Sequence, residues 1–193
     1  MSLGTGDVIL VRNTGPISGL IRFGERVRYA GWWASLGRVA QSLTGTAPPD
    51  RPQDPWYVNH AAVYVNGALI EAGPKGLVRS PANKYDGKPI VIARLSDVRP
   101  DASAVEIDAL ASFAIEQLNR HDKYDWLSIL SIVLEIVTPA RLDISWDGAL
   151  ICSAFAAQCW EHAGVTLPTR SSLTTTPADL RAFAEKGWRS GLA

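Results

Sequence analysis

The residue with the clearest chemical potential is a cysteine near the start of a predicted helix. Apolar residues recur at helical spacing from Ile151 to Trp160, and Gly164 supplies a C-cap. Cys152 then lies within the first two turns, where the helix dipole favours a thiolate over a thiol. A thiolate there is a candidate nucleophile, although free cysteine is also a common small core residue.

The second cysteine, Cys159, is seven residues further along the same helix and therefore on nearly the same face. It lies away from the positive end of the dipole, and we interpret it as part of the core. Two helical turns separate the Cα atoms of Cys152 and Cys159 by about 10 Å, which excludes a disulfide between them.

A cysteine nucleophile needs a base, and the chain has three histidines. His162 falls in the last turn of the cysteine helix, about 15 Å along the axis from Cys152, so it cannot be the base. His121 follows a predicted helix end and is expected in solvent. His60, which opens a predicted strand, is the remaining candidate.

The dipeptide Asn66-Gly67 predicts a two-residue hairpin turn that places a carboxylate beside this histidine. Counting back from the turn, Ala62 pairs with Glu71. Side-chain alternation then puts His60 and Glu71 on one face as diagonal neighbours, with Cβ atoms about 7 Å apart. A carboxylate at that distance can fix the tautomer of an imidazole and stabilise its cation. The alternative interpretation is an ordinary surface pair between two strands.

The remaining pattern predicts strands in the first half of the chain and helices mostly in the second. This order is typical of an α+β fold, and a length of 193 residues fits a single domain over residues 1–193. Prolines between residues 45 and 55 predict a long loop, and the aromatic residues that flank it are interpreted as ordinary packing. Strands are predicted at 8–11, 59–65, 68–72, 77–79 and 89–95, and helices at 17–28, 33–43, 101–120, from 124 or 125 to before 139, through Cys152, and from 177.

The charge balance argues against some classes of function. The chain has 19 basic and 19 acidic residues without a block of like charge, so nothing indicates a nucleic-acid or membrane-surface partner. The N-terminal residues lack a charged region followed by a long apolar run, and no apolar run is long enough to span a bilayer. We therefore expect no signal peptide, no stable membrane insertion and, by default, a reducing cytoplasmic setting.

Several short motifs occur in a fixed order along the chain: Gly6-Asp7-Val8-Ile9, Asn59-His60-Ala61-Ala62-Val63-Tyr64-Val65, Ile70-Glu71-Ala72 and Ile151-Cys152-Ser153-Ala154-Phe155, with further similarities in Lys75-Gly76-Leu77-Val78, Tyr124-Asp125 and Thr176-Pro177-Ala178-Asp179-Leu180. Together these motifs resemble those of the NlpC-type papain-like cysteine hydrolases. The cysteine comes last in this chain, whereas it comes first in the ordinary members. This order resembles the circularly permuted YaeF/YiiX-like group, which is related to lecithin:retinol acyltransferases.

The resemblance implies a permuted papain-like fold, in which a small antiparallel, barrel-like sheet presents the His60 and Glu71 face to the cysteine helix. It makes Cys152 the nucleophile, His60 the general base and Glu71 the orienting acid. Tyr124 and the backbone N–H of Cys152 become candidate donors to an oxyanion. One departure is Ile151, where relatives often carry an aromatic or polar residue.

The reaction implied by the resemblance is hydrolysis of a peptide or cell-wall peptide amide through a thioester, with no cofactor and no metal. The expected partner is a peptide, a peptidoglycan fragment or a lipid-like acyl substrate. A lipid-type acyltransferase or thioesterase with the same three residues is the nearest alternative, and a binding module without turnover is an alternative of another class. A metal site at Cys159 and His162 is disfavoured, because structural zinc needs four ligands and the sequence offers no further candidate ligands beside these two.

Cys152 is predicted to react with iodoacetamide faster than Cys159 at neutral pH, because the helix dipole and His60 both favour its thiolate. Brief treatment followed by peptide mass spectrometry measures the modified fraction at each cysteine. Equal rates, or a faster Cys159, would contradict the nucleophile assignment.

Overall fold

A computed structural model describes residues 2–14, 16–73, 76–120, 152–168, 172 and 175–190 of the chain. Over these residues the fold is mixed α/β, with a five-stranded antiparallel sheet, six α-helices and a 3-10 helix at Pro55–Tyr57. The strands are β1 (Val8–Val11), β2 (His60–Val65), β3 (Ala68–Gly73), β4 (Gly76–Pro81) and β5 (Ile90–Ala93); the helices are α1 (Pro16–Ala30), α2 (Trp32–Leu43), α3 (Leu95–Val98), α4 (Ala104–Arg120), α5 (Cys152–His162) and α6 (Pro177–Ser190).

The sheet has the strand order β4-β3-β2-β1-β5, with every neighbouring pair antiparallel. Among the described strands it is open, with β4 and β5 at its edges, so the barrel-like closure expected from the resemblance is not observed in this part of the chain. The predicted hairpin is confirmed: Asn66 and Gly67 both have positive φ, as a two-residue primed turn requires, and Ala62 pairs with Glu71.

Side-chain alternation divides the core between the two faces of the sheet. The larger cluster contains Leu10 of β1 and Ala61 and Val63 of β2, together with apolar side chains of helices α4, α5 and α6. The smaller cluster lies on the opposite face, where Ala62 and Leu69 pack against residues that include Tyr85. Helix α5 therefore packs on the face that carries Ala61, not on the face that carries Ala62 and Glu71.

The pairing between β2 and β3 does not include the first two residues of β2 or the last two residues of β3. Their last matched residues are Ala62 and Glu71, while Ala72 and Gly73 continue to pair only with β4. In β2 the N–H of Tyr64 donates to the carbonyl of Asp7, the residue directly before β1. Because N–H directions alternate along a strand, the Ala61 N–H points to the β3 side, where the ladder no longer supplies an acceptor. A free donor thus marks the beginning of β2.

The predicted C-terminal end of α5 and the predicted start of α6 are confirmed. Gly164 has φ +74° two residues after His162, the last residue of α5, as expected of a glycine that caps a helix C-terminus. The Thr176 hydroxyl accepts a hydrogen bond from the Asp179 N–H at 3.2 Å, and the Asp179 carboxylate accepts one from the Thr176 N–H at 3.0 Å. Pro177 takes the first helical position of α6, where its missing N–H costs nothing. The local sequence therefore determined both boundaries.

Two details of the helix and strand predictions are wrong. The strand expected to reach Leu95 ends at Ala93, and Leu95 begins the short helix α3 because its N–H is captured by the Asp7 carboxylate at 3.1 Å. In α4, the helical pattern predicts Val105 on the buried side, yet Val105 is 77% exposed. It lies in the first turn of α4, next to the capping interaction between Ser103 and Glu106, where the helix faces solvent.

The aromatic residues around the proline-rich loop divide into two groups. Trp56 and Tyr57 are half buried, and Tyr57 packs against the larger core cluster, as predicted. Trp33 of α2 is instead 87% exposed, so ordinary packing is wrong for this side chain, and the non-aromatic Leu43 at the end of the same helix is 84% exposed. No described helix is both long enough and apolar enough to cross a membrane.

Gly6→Ala is expected to destabilise the protein strongly, because Gly6 has φ +95° and an added Cβ would lie 2.7 Å from a methyl group of Leu95. Gly87→Ala is the matched control, since Gly87 has φ +76° but no atom within 4 Å of an added Cβ. Urea denaturation should show a loss at Gly6 that exceeds the loss at Gly87 by about 1–3 kcal/mol, the usual cost of overpacking. Equal losses would mean that backbone strain alone accounts for the effect.

Candidate active site

His60 is held at the start of β2 by the residue before it. The buried Asn59 side chain accepts a hydrogen bond from the Asn13 N–H at 2.9 Å and donates one to the Asn13 carbonyl at 3.0 Å. The Asn59 N–H also donates to the carbonyl of Val11 at 3.0 Å. These three hydrogen bonds tie β2 to the end of β1 and fix the backbone from which the imidazole projects.

The predicted contact between His60 and Glu71 is confirmed. His60 Nε2 lies 2.8 Å from Glu71 Oε2, a direct hydrogen bond without an intervening water. The hairpin register produces this contact, because it places Glu71 opposite Ala62 and thus diagonal to His60. With Nε2 engaged by the carboxylate, Nδ1 is the ring nitrogen left for another partner.

Glu71 is almost completely buried and is held as an anion by several donors. Lys84 Nζ lies 2.5 Å from Oε1, and the Tyr85 hydroxyl donates to Oε2. Burial alone would raise the pKa of Glu71, but the hydrogen bonds from His60, Lys84, Ser80 and Tyr85 hold it well below its usual range. Burial and the neighbouring carboxylate raise the pKa of Tyr85, so Tyr85 remains a donor.

Cys152 lies beside the imidazole of His60, and the two side chains are hydrogen-bonded. Its sulfur also accepts from the backbone N–H groups of Ala61 and Ser153. Burial raises the pKa of the Cys152 thiol, but the positive charge and hydrogen bond of His60, together with these two N–H groups, outweigh burial and lower it. The arrangement therefore favours a thiolate at position 152.

The contact with Cys152 also changes the pKa of the His60 imidazole. Burial lowers the pKa of His60, whereas the charge of the Cys152 thiolate and hydrogen bonds to Cys152 and Glu71 raise it, and the result is about 9. A lowered cysteine pKa beside a raised histidine pKa favours a thiolate–imidazolium pair. The geometry therefore provides a nucleophile and a proton donor in contact with each other.

The expectation that Cys152 lies against the His60 and Glu71 face is wrong, although the side chains still meet. Helix α5 packs on the opposite face of the sheet, and Cys152 belongs to the larger core cluster. The thiol reaches His60 because β2 and β3 have already separated at that level, which leaves the Ala61 N–H free to bind the sulfur. The contact occurs at the end of the strand rather than across a face.

The other candidates from the sequence are not part of this cluster. Cys159 is fully buried, and burial raises the pKa of its thiol well above the usual value. His162 stacks on Phe113 with ring centroids 4.0 Å apart, at the far end of α5. Tyr124 and His121 lie outside the described residues. Within the described ranges, no group of three or more His, Cys, Asp or Glu side chains could hold a metal ion.

The sequence did not predict the contacts of three further residues near the site. Lys84 and Tyr85 follow the edge strand β4 in a turn, where a lysine and a tyrosine normally face solvent, so no local signal indicates their bonds to Glu71. Glu25 of α1 is fully buried, accepts from the Ala178 N–H at 3.0 Å, and lies close enough to Cys152 for their charges to interact. Burial, the largest effect, raises the pKa of Glu25 well above its usual value.

Comparison with known proteins supplies no relative from which to transfer a role. No protein-family model and no curated protein matches this chain. The geometry and charge of the cluster formed by His60, Glu71 and Cys152 are therefore the evidence for its role.

The alkylation of Cys152 is predicted to begin at lower pH than that of an ordinary thiol. Its pKa is lowered, so the thiolate is already present below pH 9, and His60→Ala removes the largest lowering cause and should move the midpoint of the rate–pH profile upward. His162→Ala is the control, because this ring lies at the other end of α5. Iodoacetamide rates between pH 5 and 10 measure the midpoints, and coincident profiles for wild type and His60→Ala would contradict the ion pair.

Proposed function

We propose that this protein is a cysteine hydrolase that cleaves an amide through a thioester intermediate. Cys152 is the nucleophile, His60 the general acid and base, and Glu71 the group that orients and stabilises the imidazolium. The order of the motifs supports membership of the permuted, YaeF/YiiX-like branch of NlpC-type papain-like hydrolases.

One observation carries this proposal. His60 bridges two partners that are distant from each other in the chain, with Nε2 on the buried Glu71 carboxylate and the ring hydrogen-bonded to the Cys152 thiol. A structural histidine needs no thiol partner, and a core cysteine needs no charged neighbour. The combination of nucleophile, base and orienting acid is the arrangement that acyl transfer requires.

The first half of the reaction forms the thioester. The Cys152 thiolate attacks the carbonyl carbon of the substrate, and the carbonyl π electrons move to oxygen, where the Cys152 N–H is a candidate donor to the oxyanion. The intermediate collapses, and the C–N bond breaks. The departing nitrogen takes the proton of the His60 imidazolium, so the amine leaves neutral and the imidazole becomes a base.

The second half releases the acid. Neutral His60 accepts a proton from water as its oxygen attacks the thioester carbonyl, and collapse of this intermediate breaks the C–S bond and returns the thiolate. His60 is again the imidazolium, and Glu71 has remained an anion throughout. The low proton affinity of Glu71 suits this role, because a carboxylate that took the proton could no longer stabilise the cation.

The proposed substrate is a peptide or cell-wall peptide amide. A reducing, cytoplasmic compartment fits this chemistry, since both cysteines are free thiols and the mechanism needs Cys152 unoxidised. An acyl substrate of lipid type is the second candidate, and the exposed Trp33 and Leu43 side chains of α2 favour it. In that case an alcohol replaces water in the second half, and the acyl group is transferred.

Trapping of the acyl-enzyme tests the proposal and separates it from a binding module without turnover. A chromogenic amide or thioester substrate is mixed with the protein, quenched in acid and analysed by mass spectrometry. We expect the acyl mass on Cys152 in wild type and its absence in Cys152→Ala. Tight binding of a peptide without any acyl mass, under conditions in which iodoacetamide still modifies Cys152, would identify a binding module instead.

Substitution of the three residues should reduce turnover unequally. Cys152→Ala and His60→Ala remove reacting groups and should lower kcat by roughly 10³–10⁶-fold, whereas Glu71→Gln disturbs only orientation and charge and should cost less. Cys159→Ala is the matched control, a buried cysteine on the same helix without a contact to His60. Full activity of His60→Ala would mean that another base is at work.

A further inference from the structure

A cluster of four arginines surrounds Asp50, in the middle of the proline-rich loop. We call Arg12, Arg22, Arg26 and Arg38 the guanidinium cluster. Three of them bond to the Asp50 carboxylate: Arg12 at 3.4 Å, Arg38 at 3.2 Å and Arg26 at a shorter distance. The carboxylate itself is only 8% exposed. Asp50 is thus a single buried anion shared by several cations.

The cluster contains more positive charge and more donors than Asp50 can satisfy. Four guanidinium groups face one carboxylate, and each guanidinium has five N–H donors. Arg26 Nε is buried without a hydrogen-bond partner, and neither a hydrogen bond nor an ion pair joins Arg22 to any other described residue. Burial and the charge of Arg12 lower the pKa of Arg22, and the charges of Asp50 and Glu25 oppose this shift without cancelling it.

The guanidinium groups are fixed in place before any ligand arrives. Arg12 lies over the ring of Tyr57 at 4.7 Å, and Arg26 lies over the ring of Trp56 at 5.7 Å. Arg38 is further held by the carbonyl of Pro48. The side chains of Arg12, Arg26 and Arg38 nevertheless keep 25%, 14% and 20% exposure. They are therefore ordered but still accessible to a ligand from solvent.

The cluster lies near the candidate active site. Arg12 directly follows Val11, which is the register partner of His60. On α1, Arg22 and Arg26 flank the buried Glu25, whose charge interacts with both Arg22 and Cys152. The cluster is thus linked to the candidate active site through Glu25 and through the pairing of β1 with β2.

We propose that the guanidinium cluster is an oxyanion-binding subsite that holds a phosphate group carried by the substrate. The planar, forked guanidinium matches the oxygen spacing of phosphate, and several such groups suit a ligand with three or four anionic oxygens better than a single carboxylate does. As a statement about substrate, the inference rests on the proposed hydrolase function. It narrows the substrate class to an amide or ester that bears a phosphate away from the scissile bond.

The competing interpretation is that the arginines only anchor the loop through Asp50. Arg22 separates the two, because it makes no bond to Asp50. If the cluster is merely structural, loss of the Arg22 charge relieves repulsion from Arg12 and Arg26 and changes nothing else. If the cluster is a subsite, Arg22 is the donor most available to the ligand.

Binding of inorganic phosphate to the Cys152→Ala protein tests the subsite without requiring turnover. Calorimetric titration at constant ionic strength, with chloride as the balancing anion, should show saturable binding. Arg22→Gln should weaken it by about tenfold or more, the usual effect of losing a charge-assisted hydrogen bond. Arg79→Gln on the edge strand β4 is the control of equal charge change, and it should bind as the parent does.

Two outcomes would overturn the proposal. One is the absence of saturable heat with millimolar phosphate in a protein whose melting temperature shows that it is folded. The other is equal weakening by Arg22→Gln and Arg79→Gln, which would indicate general charge attraction. Because the titration uses the inactive Cys152→Ala protein, failure of the hydrolase proposal leaves its result unchanged, and failure of the subsite leaves acyl-enzyme trapping unchanged.

A further arm identifies the source of the phosphate. Glycerol phosphate represents a small soluble ligand, and phosphatidylglycerol vesicles represent a lipid headgroup, with phosphatidylcholine vesicles as the neutral control. Co-sedimentation with phosphatidylglycerol vesicles that Arg22→Gln abolishes and Arg79→Gln does not supports a phospholipid substrate. Binding of glycerol phosphate with the same dependence on Arg22, and no co-sedimentation, supports a soluble one. Co-sedimentation that is equal in both variants counts against the subsite.

Discussion

The candidate site depends on the burial of one carboxylate. Glu71 is 2% exposed, and a charge at that depth persists only if donors surround it. His60, Lys84 and Tyr85 supply those donors, and each is fixed in return. The imidazole therefore has one orientation, with Nε2 committed to the carboxylate. The same negative charge helps to keep a proton on His60, which in turn favours a thiolate at Cys152.

Cys152 can reach His60 because the pairing of β2 with β3 stops before the beginning of β2. Because β2 and β3 separate after Ala62 and Glu71, the Ala61 N–H has no strand partner and binds the Cys152 sulfur instead. A backbone donor that is unsatisfied in the sheet thus becomes part of the thiolate environment. Asn59, bonded twice to Asn13, prevents the first residues of β2 from moving to close this space.

Helix α1 places further ionisable side chains near the candidate site. Its Glu25 is buried with Oε2 unpartnered among the described residues, whereas Arg22 and Arg26 belong to the guanidinium cluster around Asp50. Buried, incompletely compensated charges cost stability and persist in proteins mainly where binding or catalysis uses them. Their position between the proline-rich loop and Cys152 is the physical basis of the proposed phosphate subsite.

The sequence by itself determined what local chemistry controls. The Asn66-Gly67 turn set the hairpin register, and with it the contact between His60 and Glu71, because strand pairing follows directly from turn geometry. The sequence could not determine which face of the sheet α5 packs against, since both faces of β2 carry apolar residues. Nor could it find the partners of Glu71 or the cluster around Asp50. These contacts join residues without a shared period or turn, and only the packing of separate elements brings them together.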